Sequence, residues 1–508
     1  MATNNLVLVF VHGWSVTNLD TYGRLPIRLQ AEAKKIDANA IVKDIYLGQY
    51  ISFHDEVQLH DIARAFETAV NEQLATELAN NNRFVCITHS TGGPVVREWW
   101  DTYYNKKDAP ICPMSHLIML APANFGSALA QLGKAKISRL KSWFEGVEPG
   151  QGVLNWLELG SNKSWELNKK WIRGEGGEIS EKGFFPFAII GQSIDREFYD
   201  NLNSYTGELG SDGVVRSAAA NLNANYVSVK QGAITYTGGE YVTQEMIVEY
   251  TAAPQSAFRI VPQKSHSGTT MGIMASPKAT PAGDTVETAE LIDAILSCIA
   301  VKNTDDYNAL IQTFNAATLA VQAKELVEKV ESGPFALFKR YFIHDRFSMV
   351  IFRIHDSEDY AIKDYDLIFT AGDDDNPNHL PEGFFADRQQ NRLSPETVTY
   401  FVNYDVMNHS APVNDDGKEI RAEQKGVGKL GILVNPRPDN GFVRYVPFKI
   451  KADNEFFKNV IKPNSTTLID ICLQRIVSKE VFRLIPHTGP MPVDEDFSDI
   501  EPGLEVAE

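Results

Sequence analysis

Residues 83–93, RFVCITHSTGG, pass from a short apolar run into small and hydroxyl-bearing residues, and the helix-like VVREWW (95–100) follows at once. No other segment constrains the fold as much. A strand that breaks into a tight turn and a helix lifts one side chain clear of a sheet, and here that side chain is Ser90. Gly92 and Gly93 supply the small residues needed where the helix crowds the turn. Thr88 stands where a glycine usually begins the G-x-S-x-G pattern. Taken alone, Ser-Thr-Gly-Gly also suits an ordinary loop, so two further segments decide the reading.

The first is VLVFVHGW (7–14), a buried-strand run of mostly β-branched residues ending in His12-Gly13. In α/β-hydrolases the loop after this strand gives one N–H of the oxyanion hole, and the residue after the nucleophile gives the other. Those donors fall to Trp14 and Thr91. The second is FPFAIIGQ (185–192), another buried strand, followed by the turn-rich GSDGVVRSA (210–218). The Asp-Gly-Val-Val string resembles the acid loop of bacterial lipases and points to Asp212; Asp195, nearer the strand end, is the competitor. A serine hydroxyl needs a base to accept its proton, and the chain order Ser, acid, His asks for a histidine after Asp212. His266 sits just past a strand-like run and before a small-residue turn (258–274). His344, His355, His379, His409 and His487 come later, in what reads as a separate domain. His89 is expected on the other side of the elbow, in a structural role.

Together VFVHGWSV, THSTGGPVV, SDGVV and KSHSG make the chain similar to the PlaB-type bacterial phospholipase A/lysophospholipase family known from Legionella. The resemblance spans nearly the whole sequence. It implies a triad of Ser90, Asp212 and His266, a β-rich C-terminal domain, a homo-oligomer, and peripheral attachment to a bacterial membrane. Phospholipid and lysophospholipid are the implied substrates.

A chain of 508 residues is too long for one core. We expect an α/β-hydrolase domain over 1–325 with a lid-like insertion at about 128–183. An antiparallel β-sandwich-like domain over 335–490 and an acidic, flexible tail over 491–508 follow. Short β-like runs at 347–355, 366–372, 397–407, 429–436, 442–450 and 465–476, separated by turn clusters, support the sandwich. GVGKLG (426–431) matches G-x-G-x-x-G in letters but lacks the flanking strand and helix of a dinucleotide fold, so we read a turn. Asp373, Asp374 and Asp375 lack the glutamate of an EF-hand loop and read as a solvated turn. The four cysteines show no metal-like spacing and are expected as free thiols. A net charge of −18 argues against nucleic acid as a partner. No apolar run is long enough for a transmembrane helix, and the first apolar stretch lacks a preceding basic residue, against a signal peptide. The expected location is cytoplasmic or peripheral to a membrane.

The insertion differs in charge from the rest. Residues 133–173 carry eight basic side chains against four acids, and four of the seven tryptophans. Tryptophan favours the lipid interface and Lys or Arg meets phosphate headgroups. Trp143, Phe144, Trp156 and Lys141 are therefore candidate substrate or membrane contacts; the competing reading is a cap whose aromatics fill the interior. The chemistry expected is acyl-ester hydrolysis through an acyl-enzyme, which requires neither metal nor organic cofactor. The same triad suits a triacylglycerol lipase, an esterase or an acyltransferase. A protein of another class, binding membrane or assembling through an inert hydrolase half, is the remaining alternative.

Overall fold

The computed structural model describes residues 5–11, 22–36, 40–45, 54–79, 82–106, 110–132, 150–175, 178–194, 209–237, 240–243, 246–332, 338–414, 416–450, 456–478 and 488. The strands in chain order begin with β1 (Val7–Val11), β2 (Ile41–Ile45), β3 (Phe84–His89), β4 (Met114–Leu120) and β5 (Phe185–Ile190). They continue with β6 (Asn225–Gln231), β7 (Met246–Ala252) and β8 (Ala257–Ile260). Six of them form a wholly parallel sheet in the order β8-β5-β4-β3-β1-β2. Every residue of β1, β3 and β5 is buried, which requires cover on both faces and explains the apolar runs of β1, β5 and the first four residues of β3.

Helices supply that cover: α1 (Leu25–Ile36), α2 (Leu59–Gln73) and α3 (Gly92–Tyr103), then α4 (Gln151–Leu157) and α5 (Asn162–Ile172) from the insertion. The short α6 (Ser217–Ala220) precedes α7 (Val286–Ile299) and α8 (Thr304–Glu325). This is the α/β-hydrolase architecture. Helix α8 ends at Glu325, and Val327–Ser332 then forms a strand paired with Phe338–Ile343.

The later strands are β9 (Phe347–Asp356), β10 (Tyr365–Ala371), β11 (Phe385–Gln390), β12 (Thr397–Asn403), β13 (Leu430–Pro436), β14 (Phe448–Ile450) and β15 (Thr466–Leu473). A three-stranded antiparallel sheet, β10-β13-β14, lies against a six-stranded one ordered β11-β12-β9-β15-β6-β7. The larger sheet is antiparallel except at β9–β15 and β15–β6. Two of its strands, β6 and β7, come from between the acid loop and His266, so the division at 325–335 does not separate the sheets.

The alternation along β9 shows why. Val350, Phe352 and Ile354 point into the sandwich core, while Met349 and Ile351 join the core of the parallel sheet. A strand presents successive side chains to opposite faces, so β9 packs one domain on each side. The two units have separate cores, and this strand is a wall of both.

His116 on β4 ties the parallel sheet to the α7–α8 connection, with Nε2 donating to the Val301 carbonyl at 2.9 Å. Burial pushes its imidazole down to about 4. The unfolded chain, titrating near 6.5, then takes up this proton first as pH falls. The His116 contribution is thus complete above about pH 6.5 and lost towards pH 4. We expect this group to remove about 2 kcal/mol of unfolding free energy between pH 7 and pH 5. Denaturant titrations should show that loss in the native chain and not in a His116→Gln variant.

Candidate active site

At the end of β3 the backbone of Ser90 takes φ +52°. Left-handed backbone in a non-glycine residue costs about 1–2 kcal/mol and persists only where its surroundings enforce it. Here the Ser90 N–H donates to the Leu120 carbonyl at 3.0 Å, and its own carbonyl accepts from Gly93 at 3.2 Å and Ala123 at 3.3 Å. The turn is thus sewn to the ends of both β4 and α3. Thr88 remains in extended strand, paired with Val11 and Met119, so the elbow closes without a glycine there.

The loop carrying Asp212 folds back on itself through a bridge between Ser211 and Arg216. Asp212 is fully buried, and its Oδ1 accepts from the amides of Val214 at 3.0 Å and Val215 at 2.8 Å. Its carbonyl accepts from the His266 N–H at 2.9 Å, fixing the two loops to each other. Oδ2 lies 2.9 Å from His266 Nδ1, and His266 Nε2 lies 3.1 Å from Ser90 Oγ. A carboxylate can only accept, so Nδ1 carries the proton and Nε2 is left to receive one. The three side chains therefore form a continuous chain of hydrogen bonds that can draw a proton off the Ser90 hydroxyl.

Two neighbours hold His266 in place. His89, expected on the far side of the turn, stands against it instead. The ring centroids are 4.5 Å apart, and His89 Nε2 lies 3.2 Å from the His266 carbonyl. The only sequence signal for this is its adjacency to Ser90. Lys264, two residues before His266, is buried, with Nζ donating to Ser276 Oγ at 2.9 Å and Thr288 Oγ1 at 2.7 Å. Burial pushes its ammonium down to about 8.

Thr91 is buried immediately before α3, where the first N–H groups of a helix have no acceptor within it. Trp14, the other expected oxyanion donor, lies outside the described residues, as do Asp195, Trp143, Phe144, Lys141 and the tail over 491–508. Trp156 corrects the sequence reading. It is 5% exposed and packed into the core, unavailable to a lipid surface. Trp165 and Trp171 are buried too, so this part of the insertion fills the interior. Two of its basic groups are matched by acids from elsewhere, Lys170 by Asp101 at 2.8 Å and Lys169 by Asp470 at 3.7 Å, and Arg173 pairs within the insertion with Glu175 at 3.3 Å. Among the described residues no cluster of His, Cys, Asp and Glu could hold a metal ion.

The close approach of α3 gives a direct check. A Cβ at Gly93 would lie 2.9 Å from Pro122 Cβ and 3.2 Å from Met119 Sδ. Overpacking should outweigh the better helix propensity of alanine, so Gly93→Ala is expected to lose about 1–2 kcal/mol in denaturant unfolding.

No family model and no curated protein matches the chain. Solved structures do. Phospholipase PlaB from Legionella pneumophila is 40% identical, with 96% of this chain and 98% of that one covered and a TM-score of 0.81. The same protein in complex with thio-NAD gives 39% identity, the same coverage and a TM-score of 0.79.

Proposed function

The chain belongs to the family of phospholipase PlaB, and from that premise we propose that it hydrolyses fatty-acyl esters of glycerophospholipids and lysophospholipids through an acyl-enzyme on Ser90. Membership makes it a lipolytic ester hydrolase. What carries the acyl-enzyme reading is the relay from Ser90 through His266 to Asp212, with links of 3.1 and 2.9 Å, and the phospholipid substrates rest on the likeness to PlaB.

His266 Nε2 takes the Ser90 proton as Oγ attacks the ester carbonyl, and Asp212 steadies the imidazolium that results. The main-chain N–H groups of Thr91 and Trp14 receive the oxyanion, each donor lowering the barrier by ~3 kcal/mol. The imidazolium then protonates the departing glycerol oxygen, leaving the acyl group on Ser90. Water enters, gives a proton to His266 and attacks the acyl carbon, and the fatty acid leaves as Ser90 is reprotonated. Trp143, Phe144 and Lys141 would meet the lipid surface from the insertion.

Ser90→Ala should lower hydrolysis at least about 10⁴-fold, and Asp212→Asn on the order of 10⁴-fold with the fold intact. Fatty-acid release by the purified chain would be measured. A Ser90→Ala protein that kept its lipolytic or lytic activity would instead mark an inert hydrolase half. Substrate class is tested by fatty-acid release from phosphatidylcholine, lysophosphatidylcholine, phosphatidylglycerol, triglyceride and short-chain esters in parallel. We expect phospholipid and lysophospholipid to lead. Activity confined to triglyceride or short esters would assign a lipase or esterase, and acyl transfer to an added alcohol in preference to water would assign an acyltransferase.

A further inference from the structure

The loop that presents Asp212 rests on the second sheet as much as on the first. Gly210, at its start, has φ +74°, and a Cβ there would lie 2.5 Å from Cδ2 of Phe347 on β9. Arg216, at its end, is 2% exposed, and its guanidinium lies 4.2 Å from the ring centroid of Phe401 on β12. Phe347 and Phe401 are themselves stacked, with centroids 4.8 Å apart at 16°. Both ends of the acid loop thus sit on one aromatic shelf.

Arg216 is held there by an ion pair with Asp387, a residue of edge strand β11 lying 171 positions later in the chain. Asp387 is braced in turn by Gln389 Nε2 at 2.8 Å and by the Arg388 main-chain N–H at 2.8 Å. The stretch beyond the loop is anchored on the same sheet. Thr466 Oγ1 donates to the Ala218 carbonyl at 2.8 Å, and Asn221 Nδ2 to the Asn464 carbonyl at 2.7 Å.

The amides of Val214 and Val215 that grip Asp212 lie two and one residues before Arg216. Their direction follows from where Arg216 is fixed. A buried ion pair adds little net stability over an apolar contact of the same shape, but its geometry is directional. Direction is what a carboxylate aimed at an imidazole requires.

We propose that the C-terminal sheet is a working part of the active site, in which Asp387 and Arg216 are positioning residues that keep Asp212 in line with His266. This rests on Asp212 being the acid of the triad, as argued above. The pair touches no substrate and acts through the loop.

The test uses the full chain and a soluble short-chain p-nitrophenyl ester, so that effects at a lipid surface do not enter. Asp387→Asn keeps the shape and removes the charge. It should lower kcat about tenfold or more, as misplacement of a catalytic group does. KM should stay within about twofold and the thermal midpoint close to the parent's. Modification of Ser90 by a fluorophosphonate should slow in parallel, and Asp387→Glu should recover part of kcat. Arg216→Lys keeps the charge but loses the flat stack and the forked donors; it should show the same loss of kcat. If Asp387→Asn fails to fold, Arg216→Lys decides by the same measurements.

An unchanged kcat in the folded variants, with Ser90→Ala inactive, overturns the proposal and leaves the triad reading standing. A loss that tracks a lower thermal midpoint, and that glutamate does not rescue, also overturns it, because the pair is then only structural. Activity persisting in Ser90→Ala overturns the triad reading first.

Discussion

Ser90 can present its hydroxyl only because its backbone is held in a left-handed turn, and that turn is stable only because the sheet behind it is complete. Its amide and carbonyl are bound to β4, to the residues just after β4, and to the first turn of α3. Gly93 allows the helix to come close enough for those bonds to form. The strain is local, whereas what offsets it extends over several elements. The site is therefore a property of the packed parallel sheet, and the serine cannot be moved to a loop without losing its orientation.

The acid and the base obey a similar rule with different partners. His266 is set by contacts inside the hydrolase half: the main-chain bond from its amide to Asp212, the ring of His89, and the buried Lys264 linking its loop to α7. Asp212 borrows its support from strands that arrive much later in the sequence. The strand β9 accounts for this arrangement, since its two faces belong to two cores.

Much of this was legible from the residues. The elbow, the buried strands β1 and β5, and the later β runs are local signals, written in apolar runs, alternation and small residues. The three side chains chosen from separate segments do lie within hydrogen-bonding distance of one another. What could not be read was which strands pair. The strand over Asn225–Gln231 is not among the runs read from the sequence, and its place beside β15 depends on contacts some 240 positions apart. Trp156 misled for a related reason. A tryptophan near lysines has the composition of a lipid surface, yet the acids that answer two of those lysines come from α3 and β15. His89 gave no signal beyond its place next to the serine.

The order of strands in the larger sheet has one more consequence. Its central strand β15 comes later in the chain than the other five strands of that sheet, and it lies between β9 and β6. During synthesis the flanking hairpins can form, but they remain two separate pieces until β15 emerges to bridge them. Closing contacts of such separation makes folding slow, and here it falls at the end. A chain cut short before Thr466 would carry every residue of the relay and no continuous floor beneath its acid.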